Sequence, residues 1–278
     1  MQIGQPSRTA LGAATLRAAH QVVDGAAIFA DSLALRILGD AAETALQDAS
    51  DATRQRLRWF VAIRTRIAED ALALAIRRGV SQLVVLGAGL DTYAYRAPPS
   101  DQLRLFEVDH PATQAWKRER LAAAAIAPPP TLRFVPIDFE HQTLADGLAA
   151  AGFDPARQTF FTWLGVVPYL TEPAVFATLG FIAGLPGGAH VVFDYVNPIA
   201  SIAEAGSRAA HEAIAARVAA IGETLRCHFD TEQLHGRLVQ LGFREVEDLG
   251  PAEIARRFLP DHITASGAGG HVLRATTV

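Results

Sequence analysis

The sequence predicts a doubly wound α/β fold with a mostly parallel, seven-stranded sheet, and three observations support this prediction. Short apolar runs alternate with helix-like segments between residues 82 and 197. These runs are apolar almost throughout, which is typical of parallel strands buried on both faces. A glycine turn follows the first run, and acidic residues end the second. The 278 residues suffice for one large α/β domain.

The first 80 residues are predicted to form a helical cap on this domain. Apolar residues recur every three or four positions between residues 50 and 78, with arginine and aspartate between them. That spacing places an apolar stripe along a long helix. Gly79 is expected to end the helix.

Residues 81–197 are predicted to form the core of the domain, because strand-like and helix-like segments alternate there. The predicted strands are 82–86, 103–108, 132–137, 159–163 and 189–196, and the predicted helices are 111–126, 141–151 and 172–185.

The last third of the chain breaks this alternation. Residues 198–226 are rich in alanine and polar side chains, and we interpret them as a helical lid inserted after the fifth strand. Residues 227–278 then supply a helix at 231–241 and two strands, at 243–249 and 271–277. We expect these strands to pair antiparallel at the sheet edge, so that the whole chain forms one domain.

Composition restricts the partners that are expected. The net charge of −4 lacks the basic surplus of proteins that bind nucleic acid. The apolar runs are shorter than the roughly 20 residues of a membrane span, and the single cysteine, Cys227, cannot form an internal disulfide. The histidines show no HxxxH or HExxH spacing, so no metal site is predicted. We therefore expect a soluble, cytoplasmic protein acting on a small molecule.

The sharpest motif is the glycine turn after the first strand, LVVLGAGLDT at residues 83–92. Gly87 and Gly89 allow a tight bend and close approach of a ligand to the backbone. The second strand ends in FEVD, where an acidic side chain can accept hydrogen bonds from both ribose hydroxyls. Asp109 is the first candidate for this role and Glu107 the second. The pair predicts a nucleoside cofactor at the carboxyl edge of the sheet.

The spacing of the motif bears on which nucleoside is bound. A dinucleotide fingerprint needs a third glycine three residues after Gly89, where this chain has Thr92. No GxxxxGK sequence occurs either. S-adenosylmethionine has a ribose and an adenine but no pyrophosphate, so it needs no phosphate cradle. The pattern favours this cofactor, with an NAD(P)-dependent oxidoreductase of similar fold as the alternative.

The third strand is followed by Asp138 and Phe139. A carboxylate can accept a hydrogen bond from the exocyclic amine of adenine, and an aromatic ring can pack on the base. Alternatively, Asp138 caps the helix that is predicted to start near residue 141.

Together these residues resemble one branch of the class I methyltransferases, which have a Rossmann-like fold. It is the leucine carboxyl methyltransferase-like branch, which includes bacterial polyketide O-methyltransferases. The matching segments run from about residue 15 to the fifth strand: RAAHQVVDGAAIFADSLA, IRTRIAEDAL, LGAGLDTYAYR, FEVDHP, PIDFE and WLGVVPYLT.

The resemblance implies an S-adenosylmethionine-dependent O-methyltransferase, with a carboxylate or hydroxyl of a small molecule as acceptor. It also implies that Arg64 binds the methionine carboxylate of the cofactor, although from its position alone Arg64 would be an exposed charge on a helix. The other implied cofactor contacts are Gly87, Gly89 and Asp91 at the methionine portion, Asp109 at the ribose, and Asp138 and Phe139 at the adenine.

One position departs from the family pattern. Members of this group often carry a glutamate five residues before the tyrosine of the YL pair, where this chain has Leu164. The departure keeps open a catalytically inactive, methyltransferase-like binding module. No residue is identified as a general base. Side chains near the ends of the fourth and fifth strands are predicted to wall the substrate pocket, although the first two could equally fill the core: Trp163, Tyr169, Tyr195 and Asn197.

Overall fold

The computed structural model describes residues 7–49, 54–98, 102–138, 141–202, 205–220, 222–259 and 269–278. Its centre is a seven-stranded sheet with the order β3-β2-β1-β4-β5-β7-β6. The strands are β1 Gln82–Leu86, β2 Arg104–Asp109, β3 Leu132–Pro136, β4 Thr159–Trp163, β5 Ala189–Val196, β6 Glu245–Leu249 and β7 Gly270–Thr276.

The first five strands are parallel, and β7 pairs antiparallel with both β5 and β6. The predicted mostly parallel, seven-stranded fold is therefore confirmed. The strand order reverses between β1 and β4, so the chain leaves the two strands in opposite directions. Such a switch point opens a crevice at the carboxyl ends of the strands, where doubly wound folds bind ligands.

Ten helices surround the sheet in the described part of the chain: α1 Arg8–Val23, α2 Ala42–Ala49, α3 Gln55–Arg77, α4 Tyr93–Arg96, α5 Pro111–Ala123, α6 Leu144–Ala150, α7 Glu172–Ala183, α8 Ala205–Ala220, α9 Thr231–Leu241 and α10 Pro251–Phe258. One core contains side chains of α6, α7 and α9. A second core contains those of α3 and α10, so both faces of the sheet are covered. No helix among these is long and apolar enough to cross a membrane.

The predicted strands at 82–86, 159–163 and 189–196 match the structure residue for residue, while β2 lies one residue later than predicted. The final two strands pair antiparallel as expected, but α10 lies in their connection and was not predicted. The more apolar β7 takes the inner position, and the acidic β6 forms the edge.

The helix before β4 corrects one expectation. This helix was predicted to start near residue 141, and one interpretation of Asp138 was that it caps the helix. In the structure α6 begins after Thr143. The Thr143 hydroxyl accepts the hydrogen bond from the Asp146 N–H. Asp138 instead closes a turn, in which its carbonyl accepts from the N–H groups of residues 141 and 142.

The N-terminal helix is fixed at its first turn and along its length. The Ser7 hydroxyl caps α1 by accepting from the Ala10 N–H at 3.1 Å. Further along, Leu16 and Ala19 of α1 pack on Val61 of α3. The long helix predicted from the apolar periodicity, α3, therefore supports α1.

Candidate cofactor site

A cavity of about 290 Å³ lies at the carboxyl ends of β1 and β4, at the switch point of the sheet. Its floor is the glycine turn after β1, together with Asp109 at the end of β2. Its walls come from α3 and from residues 164–166 after β4, and the first turns of α1 and Glu223 complete the lining. The volume lies at the lower end of the range for small-molecule sites, roughly 300–1,000 Å³.

The glycine turn has a backbone that other residues adopt with difficulty. Gly87 and Gly89 have φ angles of +64° and +42°. A Cβ at Gly87 would collide with the Val166 side chain, and one at Gly89 would lie 2.9 Å from the Cβ of Ala10. The turn needs glycine for both its conformation and its close packing.

Asp109 is fixed by the turn itself. The Gly89 N–H donates to its Oδ2 at 2.5 Å, and the His110 N–H donates to its Oδ1 at 2.7 Å. Burial raises the pKa of the Asp109 carboxyl above its ordinary value, and these two backbone bonds oppose that rise. Each carboxylate oxygen can accept more than one hydrogen bond, so Asp109 can still receive two ligand hydroxyls.

Glu107, the second candidate for the ribose, has a different place. Its side chain is buried in an ion pair with Lys117, whose Nζ lies 2.8 Å from Oε2. The Tyr95 hydroxyl also donates to this carboxylate at 3.0 Å. Glu107 thus belongs to the packing of α5 on the sheet, whereas Asp109 lies in the cavity wall.

Arg64 reaches the cavity from α3 and is held by Asp194 on β5. Its Nη1 donates to Asp194 Oδ2 at 2.8 Å, and Asp194 Oδ1 accepts from the Gly165 N–H at 2.5 Å. The guanidinium lies so close over Gly165 that a Cβ there would be 2.6 Å from Nη2. The sequence analysis missed Asp194, although a carboxylate inside the apolar run VVFDYV signals a buried charge that needs a partner.

Arg17 is a second cavity residue that the sequence analysis missed. Its Nε lies 2.8 Å from Asp31 Oδ2, and its Nη2 donates to the Leu90 carbonyl at 2.6 Å. Asp31 also accepts from the Thr92 hydroxyl at 2.6 Å. This buried set ties α1 and the segment after it to the loop that follows the glycine turn.

Asp91, predicted at the methionine portion of the cofactor, and Tyr169, predicted in the substrate pocket, both line the cavity. Asp91 Oδ1 accepts from the Tyr93 N–H at 2.8 Å. Burial raises the pKa of Tyr169 to about 12. The Tyr169 hydroxyl has no hydrogen-bond partner among the residues that the structure describes. It is therefore available to a bound molecule.

The structure does not bring Asp138, one of the two predicted adenine residues, into the lining of this cavity. Asp138 follows β3 at the same sheet edge but is not part of the cavity lining. Phe139 lies outside the described residues. The adenine contacts implied by the resemblance stay predictions.

Tyr195 and Asn197, which were expected to wall the substrate pocket, lie in the core instead, and so does Trp163, for which core packing was the alternative. Trp163 and Tyr195 are buried, and the Trp163 ring packs near Phe193. The Tyr195 hydroxyl donates to Asp248 Oδ2 at 2.5 Å. Asn197 is buried and donates to the Phe229 carbonyl at 3.1 Å. The strand ends were located well, but the pleat of β4 and β5 turns Trp163 and Tyr195 into the core, and hydrogen bonds to Phe229 and Gly269 hold Asn197 there.

The charges around the cavity leave an acidic excess. Arg64 and Arg17 are each compensated by a buried carboxylate behind the wall. Three carboxylates of the lining, those of Asp91, Asp109 and Glu223, accept hydrogen bonds from neutral donors and form no ion pair within the described structure. The cavity therefore favours a cationic ligand over an anionic one.

Leu164, at the position where the family often has glutamate, also lines the cavity. Within the described ranges, no group of three or more histidine, cysteine, aspartate or glutamate side chains is placed to hold a metal ion.

Comparisons with known proteins give sequence matches to one family. The profile of the leucine carboxyl methyltransferase family matches residues 10–183. The putative S-adenosyl-L-methionine-dependent methyltransferase YktD of Bacillus subtilis is 31% identical over 280 residues, which cover 91% of each chain. A putative S-adenosyl-L-methionine-dependent methyltransferase of Parafrankia is 36% identical over 170 residues, 59% of this chain and 54% of that protein.

A distant structural match is human N-acetylserotonin methyltransferase, which was solved in complex with S-adenosylmethionine. It has 12% identity and a TM-score of 0.47, over 99% of this chain and 63% of the other. The assignment of the chain to a family is based on the sequence matches, which cover most of the chain and include the glycine turn, Asp109 and Arg64. The chain belongs to the leucine carboxyl methyltransferase family.

Proposed function

We propose that this chain transfers a methyl group from S-adenosylmethionine to an oxygen atom, carboxylate or hydroxyl, of a small molecule. One observation carries the proposal. The glycine turn, the Asp109 carboxylate and the Arg64 guanidinium line one cavity at the switch point of the sheet. Family membership supports methyl transfer with this cofactor, and the geometry supports this cavity as its place.

The residues of the cavity fit the methionine and ribose portions of the cofactor. Arg64 uses Nη1 for Asp194, and its other guanidinium nitrogens can donate to the methionine carboxylate. Asp109 offers two anchored oxygens to the ribose hydroxyls. The acidic lining suits a sulfonium compound with a net positive charge, and it disfavours the pyrophosphate of a dinucleotide. The charge thus supports this cofactor over the NAD(P) alternative.

When bound, S-adenosylmethionine supplies a methyl group activated by its sulfonium. The protein's contribution is to hold the acceptor oxygen in line with that group, which lowers the barrier by up to about 7–11 kcal/mol in favourable systems. A carboxylate acceptor is ionised at neutral pH and needs no base. With a pKa of about 12, Tyr169 is neutral there, so it orients an acceptor by hydrogen bonding and does not remove its proton.

The acceptor atom is tested with cofactor carrying a ¹³C-labelled methyl group. The protein is incubated with sets of four compounds of one skeleton, each set comprising a carboxylic acid, an alcohol or phenol, an amine and a thiol. We expect label in a methyl ester or methyl ether, identified by NMR. Label on nitrogen or sulfur would contradict transfer to oxygen. Tight cofactor binding without transfer to any compound would favour the inactive binding module.

We further propose the division of the chain that was expected from its sequence: a cap at 1–80, a core at 81–197, a lid at 198–226 and a closing segment at 227–278. The cap and the lid each contribute to the cavity, the first through α1 and α3 and the second through Glu223. Both are therefore placed to shield the methyl group from water.

A further inference from the structure

We infer that Glu223, from the segment after α8, binds the α-ammonium group of the methionine portion of the cofactor. The inference rests on the proposed function and adds to it a recognition residue that lies outside every motif of the sequence analysis. Three properties of the Glu223 carboxylate support this: it is anchored by hydrogen bonds, it lies at the same end of the cavity as Arg64, and it forms no ion pair in the described structure.

Glu223 is anchored by the start of α1. The Thr9 hydroxyl donates to its Oε2 at 2.9 Å, and the Thr9 N–H lies 3.4 Å from its Oε1. Both donors are neutral, so the carboxylate is oriented but its charge is not compensated. It lines the cavity and forms no ion pair with any residue in the described structure.

The first turn of α1 places this carboxylate near the glycine turn. Ala10, the residue after Thr9, packs against Gly89 so closely that a Cβ there would be 2.9 Å away. On the other side, the Ser7 N–H donates to the Thr113 hydroxyl at 3.2 Å, near the start of α5. The Ser7 and Thr9 hydroxyls are 2.9 Å apart, so the strap of residues 7–10 links Glu223 both to α5 and to the glycine turn.

Glu223 and Arg64 both lie at the end of the cavity formed by residues 165–169, because the Arg64 guanidinium packs over Gly165 and the Arg226 N–H, three residues after Glu223, donates to the Pro168 carbonyl at 2.7 Å. Tyr169 lies within electrostatic reach of both groups, because Arg64 lowers the pKa of its hydroxyl while Glu223 and Asp194 raise it, against the larger effect of burial. Asp194 is already engaged by Arg64 and by the Gly165 N–H. Glu223 is thus a carboxylate at this end that lacks a cationic partner in the described chain, whereas Asp91, which also lines the cavity, has Arg96 within electrostatic reach.

An α-amino acid carries its carboxylate and its ammonium on one carbon atom. If the carboxylate lies on Arg64, the ammonium needs an acceptor at the same end of the cavity. A carboxylate fixed by neutral donors meets this need with a charge-assisted hydrogen bond, which is stronger than a bond to a neutral acceptor. Arg64 then binds the carboxylate of the methionine portion, and Glu223 binds its ammonium group.

The test uses isothermal calorimetry with two ligands, S-adenosylhomocysteine and its analogue in which hydrogen replaces the α-ammonium. We expect Glu223→Gln to weaken binding of S-adenosylhomocysteine by roughly tenfold to a hundredfold, the range for one charge-assisted hydrogen bond. Binding of the deaminated analogue should change less than about twofold, because its contact with Glu223 is absent. Equal losses for both ligands, or no loss for either, would overturn the inference.

Two further variants separate recognition from structural support. Glu223→Asp keeps the charge and should recover part of the affinity for S-adenosylhomocysteine. Thr9→Val removes the anchoring hydroxyl but keeps the carboxylate, so its loss should be smaller than that of Glu223→Gln. A larger loss for Thr9→Val would assign the effect to the strap and overturn the inference. If the unaltered protein binds neither S-adenosylhomocysteine nor S-adenosylmethionine, the proposed function itself fails.

Discussion

Gly165 determines where the guanidinium of Arg64 can lie. Its φ of +72° is left-handed, and a Cβ would lie 2.6 Å from Arg64 Nη2. We expect Gly165→Ala to displace the guanidinium, in addition to a backbone cost of about 1–2 kcal/mol. Affinity for S-adenosylmethionine should fall at least about tenfold, while affinity for 5′-methylthioadenosine, which lacks the amino-acid portion, should change little. Calorimetry with both ligands measures the difference.

Gly242 offers a matched control for this substitution. It also has a left-handed backbone, with φ of +106°, but a Cβ there would meet nothing within 4 Å. Gly242→Ala should therefore lower stability by a similar backbone cost and leave affinity for both ligands unchanged. If the two variants affect the cofactor equally, the effect at Gly165 is general strain and not displacement of Arg64.

The Asp109 carboxyl should make cofactor binding sensitive to pH. Burial raises its pKa above the ordinary 3.8, even though backbone N–H groups of Gly89 and His110 oppose the rise. The ionised form is the better hydrogen-bond acceptor for ribose hydroxyls. Affinity should hold above the raised pKa and decline as the pH falls through it, at a higher pH than an ordinary aspartate would give.

Calorimetric titrations at a series of pH values check this dependence, with Asp109→Asn as the reference. The variant should bind more weakly at neutral pH and lose the contribution of this group to the pH profile. A profile that is unchanged in Asp109→Asn would contradict the assignment.

At the scale of elements, Asp31 joins the N-terminal segment to the loop after the glycine turn. It compensates the buried Arg17, accepts from the Thr92 hydroxyl and lies 3.6 Å from Arg96. Asp31→Ala leaves Arg17 in the core without its carboxylate. We expect the free energy of unfolding to fall by about 3–5 kcal/mol, as measured by urea denaturation.

The exposed pair of Arg66 and Asp70, 2.7 Å apart on α3, provides the comparison. Because solvent screens this pair, Asp70→Ala should cost no more than about 0.5 kcal/mol. Similar losses for Asp31→Ala and Asp70→Ala would mean that the link between α1 and the glycine loop contributes little to stability.

The bounds of a strand or helix could be predicted from the sequence where a single physical effect determines them. Apolar runs buried on both faces gave β1, β4 and β5 with the observed bounds, since parallel strands in the interior leave few alternatives. Helix ends depended on capping, as at Thr143, whose hydroxyl starts α6 later than the composition suggests. Helix α10 was missed because only eight residues form it, which is too short for a clear periodic pattern.

At the scale of the whole molecule, sequence reasoning predicted some residues of the candidate cavity but missed others. Gly87, Gly89 and Asp109 belong to local motifs, so they could be found without a structure. Asp194 and Glu223 could not be placed in the same way, because contacts across 130 and 214 residues bring them to Arg64 and to Thr9. Such contacts depend on the assembled fold and have no local spacing.

The most direct test of the central claim is calorimetry of S-adenosylmethionine with the unaltered protein and with Asp109→Ala. The claim is that the glycine turn, Asp109 and Arg64 form the binding site of this cofactor. We predict clear binding by the unaltered protein and a loss of about 2 kcal/mol or more in the variant, because ribose hydroxyls lose a buried acceptor. Equal binding by both proteins, or binding by neither, would contradict the claim.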